Sequence, residues 1–377
     1  MKKRENGYDV IRAVAMLLIL IFHINTTIKS MLGDVSFSLL LDGSGILNLG
    51  AIGVVLFFAL SGALLARNYC GGGNFSVLGF YKKRLLKIVV PHMIAYVLMF
   101  IACYIIQPDW ISSVPVPAII CSFLGLDYFN EAFFARFGYN MLWIVGEWFT
   151  TVIIILYLIF PLLRLCFKKI PIISSIIVLT IFLVNLRLQL ITYGGGAFSI
   201  TNGLFAFWVG MLIDKYKDKI FTKNIFAPLI CLTICAVLLI INPTKMIFSS
   251  YLIVVLFSFA LFVVLLNCDF SSKTISYLGK YNFEAYLVHH RYYILLLPLI
   301  LSANSSTMQY LLTIVFFLFT TYKIAEILQK LVNKIYSLFE KKETKKKFGW
   351  TSFFILLVLV LNKQMSGFLL FRFGYTQ

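Results

Sequence analysis

The chain has 377 residues, of which 61% are hydrophobic and 13% charged, and its mean hydropathy is +0.93. Soluble domains are about 45–50% apolar and about 25% charged, so the composition excludes an ordinary soluble fold and indicates a protein that crosses a lipid bilayer many times. The net charge of +18 does not indicate a nucleic-acid partner, because Lys and Arg gather in short segments between apolar runs, as they do on the cytoplasmic side of membrane proteins.

A transmembrane helix takes about 20 apolar residues. Runs of that kind lie at 9–28, 46–66, 86–106, 142–164, 170–186, 197–213, 225–241, 250–267, 283–302, 309–329 and 351–371. They predict an all-α fold, a polytopic transmembrane helical bundle of about ten core spans plus one extra C-terminal span. The first run carries Arg12 and His23 and leads into INTTIKS without a small-x-small cleavage site, so it reads as a retained span and not a signal peptide. VPVPAIICSFLGL, 114–126, reads as re-entrant or interfacial. KKETKKK, 341–347, reads as a solvated linker that also meets anionic lipid headgroups. The expected organisation is a membrane domain at 1–335, a basic cytoplasmic linker at 336–350 and an additional helix with a short tail at 351–377. With the N-terminus inside, twenty-four of the 33 Lys and Arg residues fall on the inner side and five on the outer. One span more or fewer would invert the later loops and erase that asymmetry.

The seven cysteines show neither paired CxxC metal spacing nor a disulfide framework. Cys231 and Cys235 stand one helical turn apart in an apolar run, as small helix-facing residues do. No GxGxxG, Walker loop, HExxH or internal repeat occurs, and no metal is expected. Chemistry must then come from ionisable groups at membrane depth, which are costly there and point to function. RAVAMLLILIFH, Arg12 to His23, places an arginine and a histidine eleven residues apart. On a helix that is three turns plus about 20°, so the two share a face about 16 Å apart along the axis. One reading is snorkelling for Arg12 and a hydrogen-bonded interfacial position for His23. The other is an extended, phosphate-headed donor: arginine grips phosphate bidentately and stays charged, a pantetheine arm spans the distance, and histidine serves as a base near neutral pH.

Arg12 and His23, with ten residues between them, resemble the first-span Arg-x10-His motif of the integral-membrane acyltransferase family 3. FFALSG (Phe57–Gly62) resembles that family's FFxxSG, KRLLKIVVP (Lys83–Pro91) its basic third-span opening, LWIVGEWF with YLIFPLL (Leu142–Leu163) its Trp-containing fourth-span region, and YNFEAYLVHH (Tyr281–His290) its late Tyr-Leu-x-His segment. The matches run in order across roughly 10–300. Ala13 stands where the family often has glycine, the proline after the basic stretch comes about one residue late, and the spacing from Glu147 to YLIFP is long. The resemblance implies an O-acyltransferase of the bacterial-type cytoplasmic (plasma) membrane that moves an acetyl group from cytoplasmic acetyl-coenzyme A to a hydroxyl of an extracytoplasmic glycan such as capsule, exopolysaccharide or O-antigen. Some members carry an extra esterase-like domain, so a separate partner transferase is expected wherever the reaction needs a second transfer.

On that reading His23 is the base or transiently carries the acyl group. Arg12, with Lys83 and Arg84 from the basic stretch, binds donor phosphate; the other reading of that stretch is orientation signalling alone. Ser61 shapes the donor passage and Gly62 allows close backbone approach, against a reading as plain helix packing by small residues. His289 and Arg291, in the inner half of the ninth span, contact the donor's phosphates or ribose, while His290 points about 100° away from His289. Glu147, at the depth of His23, fixes its orientation as a carboxylate does in a hydrolytic triad. His92 reads as an interfacial residue, and Trp143, Trp148 and Trp208 as interface anchors. The rival function is a transporter or flippase for polysaccharide units or small solutes, with His and Glu relaying protons; the lack of inverted repeats counts against it.

Overall fold

A computed structural model describes residues 6–33, 48–129, 144–145, 147–188, 199–220, 226–241, 247–268, 270–302 and 305–343. The chain divides into two compact units, Met1–Glu326 and Ile327–Gln377. The first holds α1 (Asn6–Leu32), α2 (Leu49–Tyr69), α3 (Val77–Ile106), α4 (Pro108–Ser112), α5 (Val116–Phe123), α6 (Glu147–Lys169), α7 (Pro171–Leu188), α8 (Ile200–Ile220), α9 (Phe226–Ile241), α10 (Ile247–Leu266), α11 (Lys273–Lys280), α12 (Asn282–Ile300) and the start of α13 (Thr307–Glu343). The described part of the second unit is the remainder of α13. Among the described residues there is no strand, so the all-helical expectation holds.

Ten of the eleven apolar runs coincide with helices, and 351–371 lies outside the described residues. Among the described residues, six helices are long and apolar enough to cross a membrane: α1, α2, α3, most of α6, α7, and Thr307–Leu338 of α13. The apolar stretches of α9 and α10 are shorter. The α12 run carries His289, His290 and Arg291, and α8 ends in Asp214, Lys215 and Lys217, which lowers the mean hydropathy of both.

Helix α3 begins nine residues before its apolar run. The Ser76 hydroxyl accepts from the Gly79 amide at 3.1 Å and caps the helix, which draws the basic stretch Lys82–Lys87 into the first turns of α3 instead of a loop. Helix α5 folds back onto α3. His92 donates to the Ser122 carbonyl at 2.9 Å and Tyr96 to the Ile119 carbonyl at 3.1 Å. Both donors stand at least ten residues before the end of α3, so 116–123 runs back alongside that helix. His92 is therefore a buried clasp, 1% exposed, and not an interfacial residue. Trp148 and Trp208 are likewise buried, with the Trp208 indole donating to the Ser175 hydroxyl at 2.9 Å. They are packing residues, not interface anchors; Trp143 lies outside the described residues.

Helix α2 is central, packed against α8, α1 and α10. In lipid the helices gain little from apolar burial, and small residues allow the close approach that lets dispersion hold them. A Cβ on Gly62 would lie 1.9 Å from the Phe207 carbonyl oxygen, and one on Gly210 would lie 1.9 Å from that of Ala59. The two glycines thus form one reciprocal backbone contact between α2 and α8. Gly53 does the same for α1, where a Cβ would meet the Ala15 carbonyl at 2.7 Å. Helix α1 is held in turn by α10, α11 and α12, so its Arg12–His23 face sits inside the bundle.

Candidate active site

Arg12 and His23 lie on α1, as their spacing predicts, and each is partly exposed. Their surroundings differ. At the Arg12 end, the guanidinium pairs with Asp9 one turn earlier, a buried carboxylate. An i, i+3 pair of this kind was legible in DVIR. Tyr157 of α6 stands within electrostatic reach of both Arg12 and Arg84 and close to Ser61. The Arg84 guanidinium lies 5.4 Å from the Tyr69 ring, and its buried Nε has no hydrogen-bond partner among the described residues. Four elements therefore bring Arg12, Ser61, Arg84 and Tyr157 together. Of the basic stretch, only Arg84 turns inward; Lys82, Lys83 and Lys87 are exposed, so Lys83 stands apart from this group. Tyr157 opens the YLIFPLL segment of the sequence, which by itself gave this residue no place beside Arg12 and Arg84.

The His23 end is built from imidazoles. The His23 ring centroid lies 4.8 Å from that of His289 and 5.1 Å from that of His290. Both α12 histidines therefore flank His23, although their side chains leave the helix about 100° apart, because His23 sits between those two directions. His289 Nδ1 donates to the Tyr286 carbonyl at 2.7 Å, which fixes the ring, and its buried Nε2 has no hydrogen-bond partner among the described residues. His289 thus stands beside His23 and not at the Arg12 end of α1. The reason is register. Gly279 of α11 abuts Asp9 and Arg12, its Cβ direction meeting Arg12 Cβ at 3.7 Å. Ten residues further on, about 15 Å along the helices, His289 reaches the level of His23.

Arg291 is also displaced from the expected position. Its guanidinium lies 3.8 Å from the centre of the Trp110 ring, a cation–π contact with the short helix that follows α3. Arg291 is buried and holds α12 against α4, away from Arg12. The Glu147 side chain lies outside the described residues. Among the described residues no group of three His, Cys, Asp or Glu side chains is arranged to hold a metal ion, and the seven cysteines are free thiols.

The family model described as "Acyltransferase domain", that of acyltransferase family 3, matches residues 5–326. The chain belongs to acyltransferase family 3. The matched segment ends where the first compact unit ends and contains both ends of the α1 site. No curated protein and no solved structure matches the chain. This membrane acyltransferase therefore has a phosphate-compatible group around Arg12 and a base-compatible group around His23, on one helix face.

Proposed function

We propose that this membrane acyltransferase transfers an acetyl group from cytoplasmic acetyl-coenzyme A to a hydroxyl of an extracytoplasmic glycan, with the N-terminus of α1 on the cytoplasmic side of a bacterial-type plasma membrane. The observation that supports this reading is the sorting of polar groups along α1. Guanidinium and hydroxyl groups gather at Arg12 and imidazoles at His23, about 16 Å apart. That span suits a donor whose charged head and reactive thioester are joined by a thin arm. Arg12 and Arg84 hold the head. At the far end His23 takes the proton of the acceptor hydroxyl as its oxygen attacks the thioester carbonyl. The carbon–sulfur bond breaks, and the imidazolium returns the proton to the departing thiolate. His289 lies beside that imidazole and orients it.

The test is transfer of label from acetyl-coenzyme A into cell-surface polysaccharide, comparing the parent with His23→Ala at matched membrane abundance. Loss of label with retained donor binding is expected. Equal label in both would remove His23 from the chemistry.

A further inference from the structure

A second cationic feature lies at the Arg12 end of the first unit, where no sequence motif pointed. A cavity of about 340 Å³ is lined by Arg67 and Cys70 from the end of α2, Phe167 and Lys168 from the end of α6, and Asp214 and Lys215 of α8, among others. Among the described residues that line it, three cations and one carboxylate stand around the space. Asp214 accepts from the Tyr8 hydroxyl and pairs with Lys217 at 3.4 Å. The Arg67 guanidinium lies 5.5 Å from the Tyr8 ring, and Lys215 Nζ lies 5.0 Å from the Phe167 ring. These rings hold the cations at the cavity wall. Tyr8 stands one helical turn, about 6 Å, before Arg12 on α1, so the cavity and the Arg12 group are adjacent.

We propose that this cavity binds the phosphomonoester on the donor's ribose, while Arg12 and Arg84 meet its diphosphate. The proposal rests on the coenzyme A reading above and adds the position of a second anionic subsite. A phosphomonoester carries about −1.5 to −2 charges and three acceptor oxygens near neutral pH, which matches three cations around a small space. The cavity is at the small end of ligand pockets, about 300–1,000 Å³. It suits a ribose phosphate and part of the base, and leaves the pantetheine arm to run along α1. An anionic lipid headgroup offers the same phosphate chemistry, so the test separates the two.

The experiment measures the Kd of the full-length protein in neutral phosphatidylcholine nanodiscs for coenzyme A and for dephospho-coenzyme A, which lacks only the ribose phosphate. The parent and the Lys168→Gln/Lys215→Gln double variant are compared. Both lysines are exposed, so their loss does not open the core; Lys169→Gln, also exposed and outside the cavity lining, is the control. The parent is expected to prefer coenzyme A by about tenfold or more, as charge-assisted hydrogen bonds allow. The double variant should lose most of that preference, and the control should keep it. Equal preference in parent and double variant, or no preference in the parent, overturns the subsite while leaving the donor reading in place. Absence of binding for both compounds overturns the donor reading and the subsite together. A preference unchanged by the double variant, accompanied by weaker binding to phosphatidylglycerol vesicles, would assign the cavity to lipid and overturn the proposal.

Discussion

Gly62→Ala places a methyl group 1.9 Å from the Phe207 carbonyl oxygen and 2.7 Å from its carbon. Because the obstacle is backbone, no rotamer relieves it, and α2 and α8 must part by roughly an ångström. Overpacking of this kind costs about 1–3 kcal/mol, and a rigid carbonyl puts the expected loss near the upper figure, about 3 kcal/mol. Gly210→Ala strikes the Ala59 carbonyl at the same 1.9 Å from the other helix and should cost about as much. One separation of the helices accommodates both methyl groups, so the double variant should lose about 4 kcal/mol, well short of the sum, as expected for coupled neighbours. The assay is reversible unfolding in mixed micelles titrated with dodecyl sulfate, followed by helical circular dichroism. Gly71→Ala, with nothing among the described residues within 4 Å of the added Cβ, is the control and should shift stability by less than about 0.5 kcal/mol. A single variant at Gly62 or Gly210 that behaves like this control would refute the reasoning, and so would strict additivity in the double variant.

His23→Ala should lower kcat by about 10²- to 10⁴-fold, the usual contribution of a positioned base, with donor Kd unchanged by equilibrium binding. His289→Ala should lower kcat and leave the KM for acetyl-coenzyme A near the parent value; a rise in KM alone would place His289 with the donor head. Asp9→Asn removes the charge that aligns Arg12 and should weaken donor binding by about tenfold, the scale of a lost hydrogen bond to a charged group, while kcat is retained. Trp110→Ala removes the ring beneath Arg291 and should lower stability by about 1–2 kcal/mol without changing donor Kd, which would fail if Arg291 bound the donor. Burial pushes the Cys70 thiol up from 9.0 to about 11, outweighing the nearby Arg164, Lys168 and Lys215. Deprotonation is therefore disfavoured, the reactive thiolate is scarce at pH 8, and alkylation of Cys70 followed by peptide mass should accelerate about tenfold per pH unit up to about pH 11. A plateau by pH 9 would contradict that environment.

Much was legible from the residues alone, because the membrane imposes strong local rules. Continuous apolar runs located the helices, since every backbone polar group in lipid must be satisfied within its own segment. Helical periodicity put Arg12 and His23 on one face, and ordered motifs from Arg12 to His290 identified the family that the match to residues 5–326 establishes. What each polar residue does depended on contacts between segments far apart in sequence. The depth assigned to His289 and Arg291 counted from the start of the 283–302 run. The true register is set by α11, where Gly279 docks on Asp9 and Arg12, and this carries His289 and His290 up to His23 and Arg291 on to Trp110. The charge of the basic stretch was visible, yet only the packing of α3 against its neighbours decides that Arg84 turns inward while Lys83 stays in the open. Likewise Arg67, Lys168 and Lys215 look like separate orientation signals in the sequence. They become one cavity because the ends of α2, α6 and α8 converge, and that convergence depends on the close glycine contact between α2 and α8.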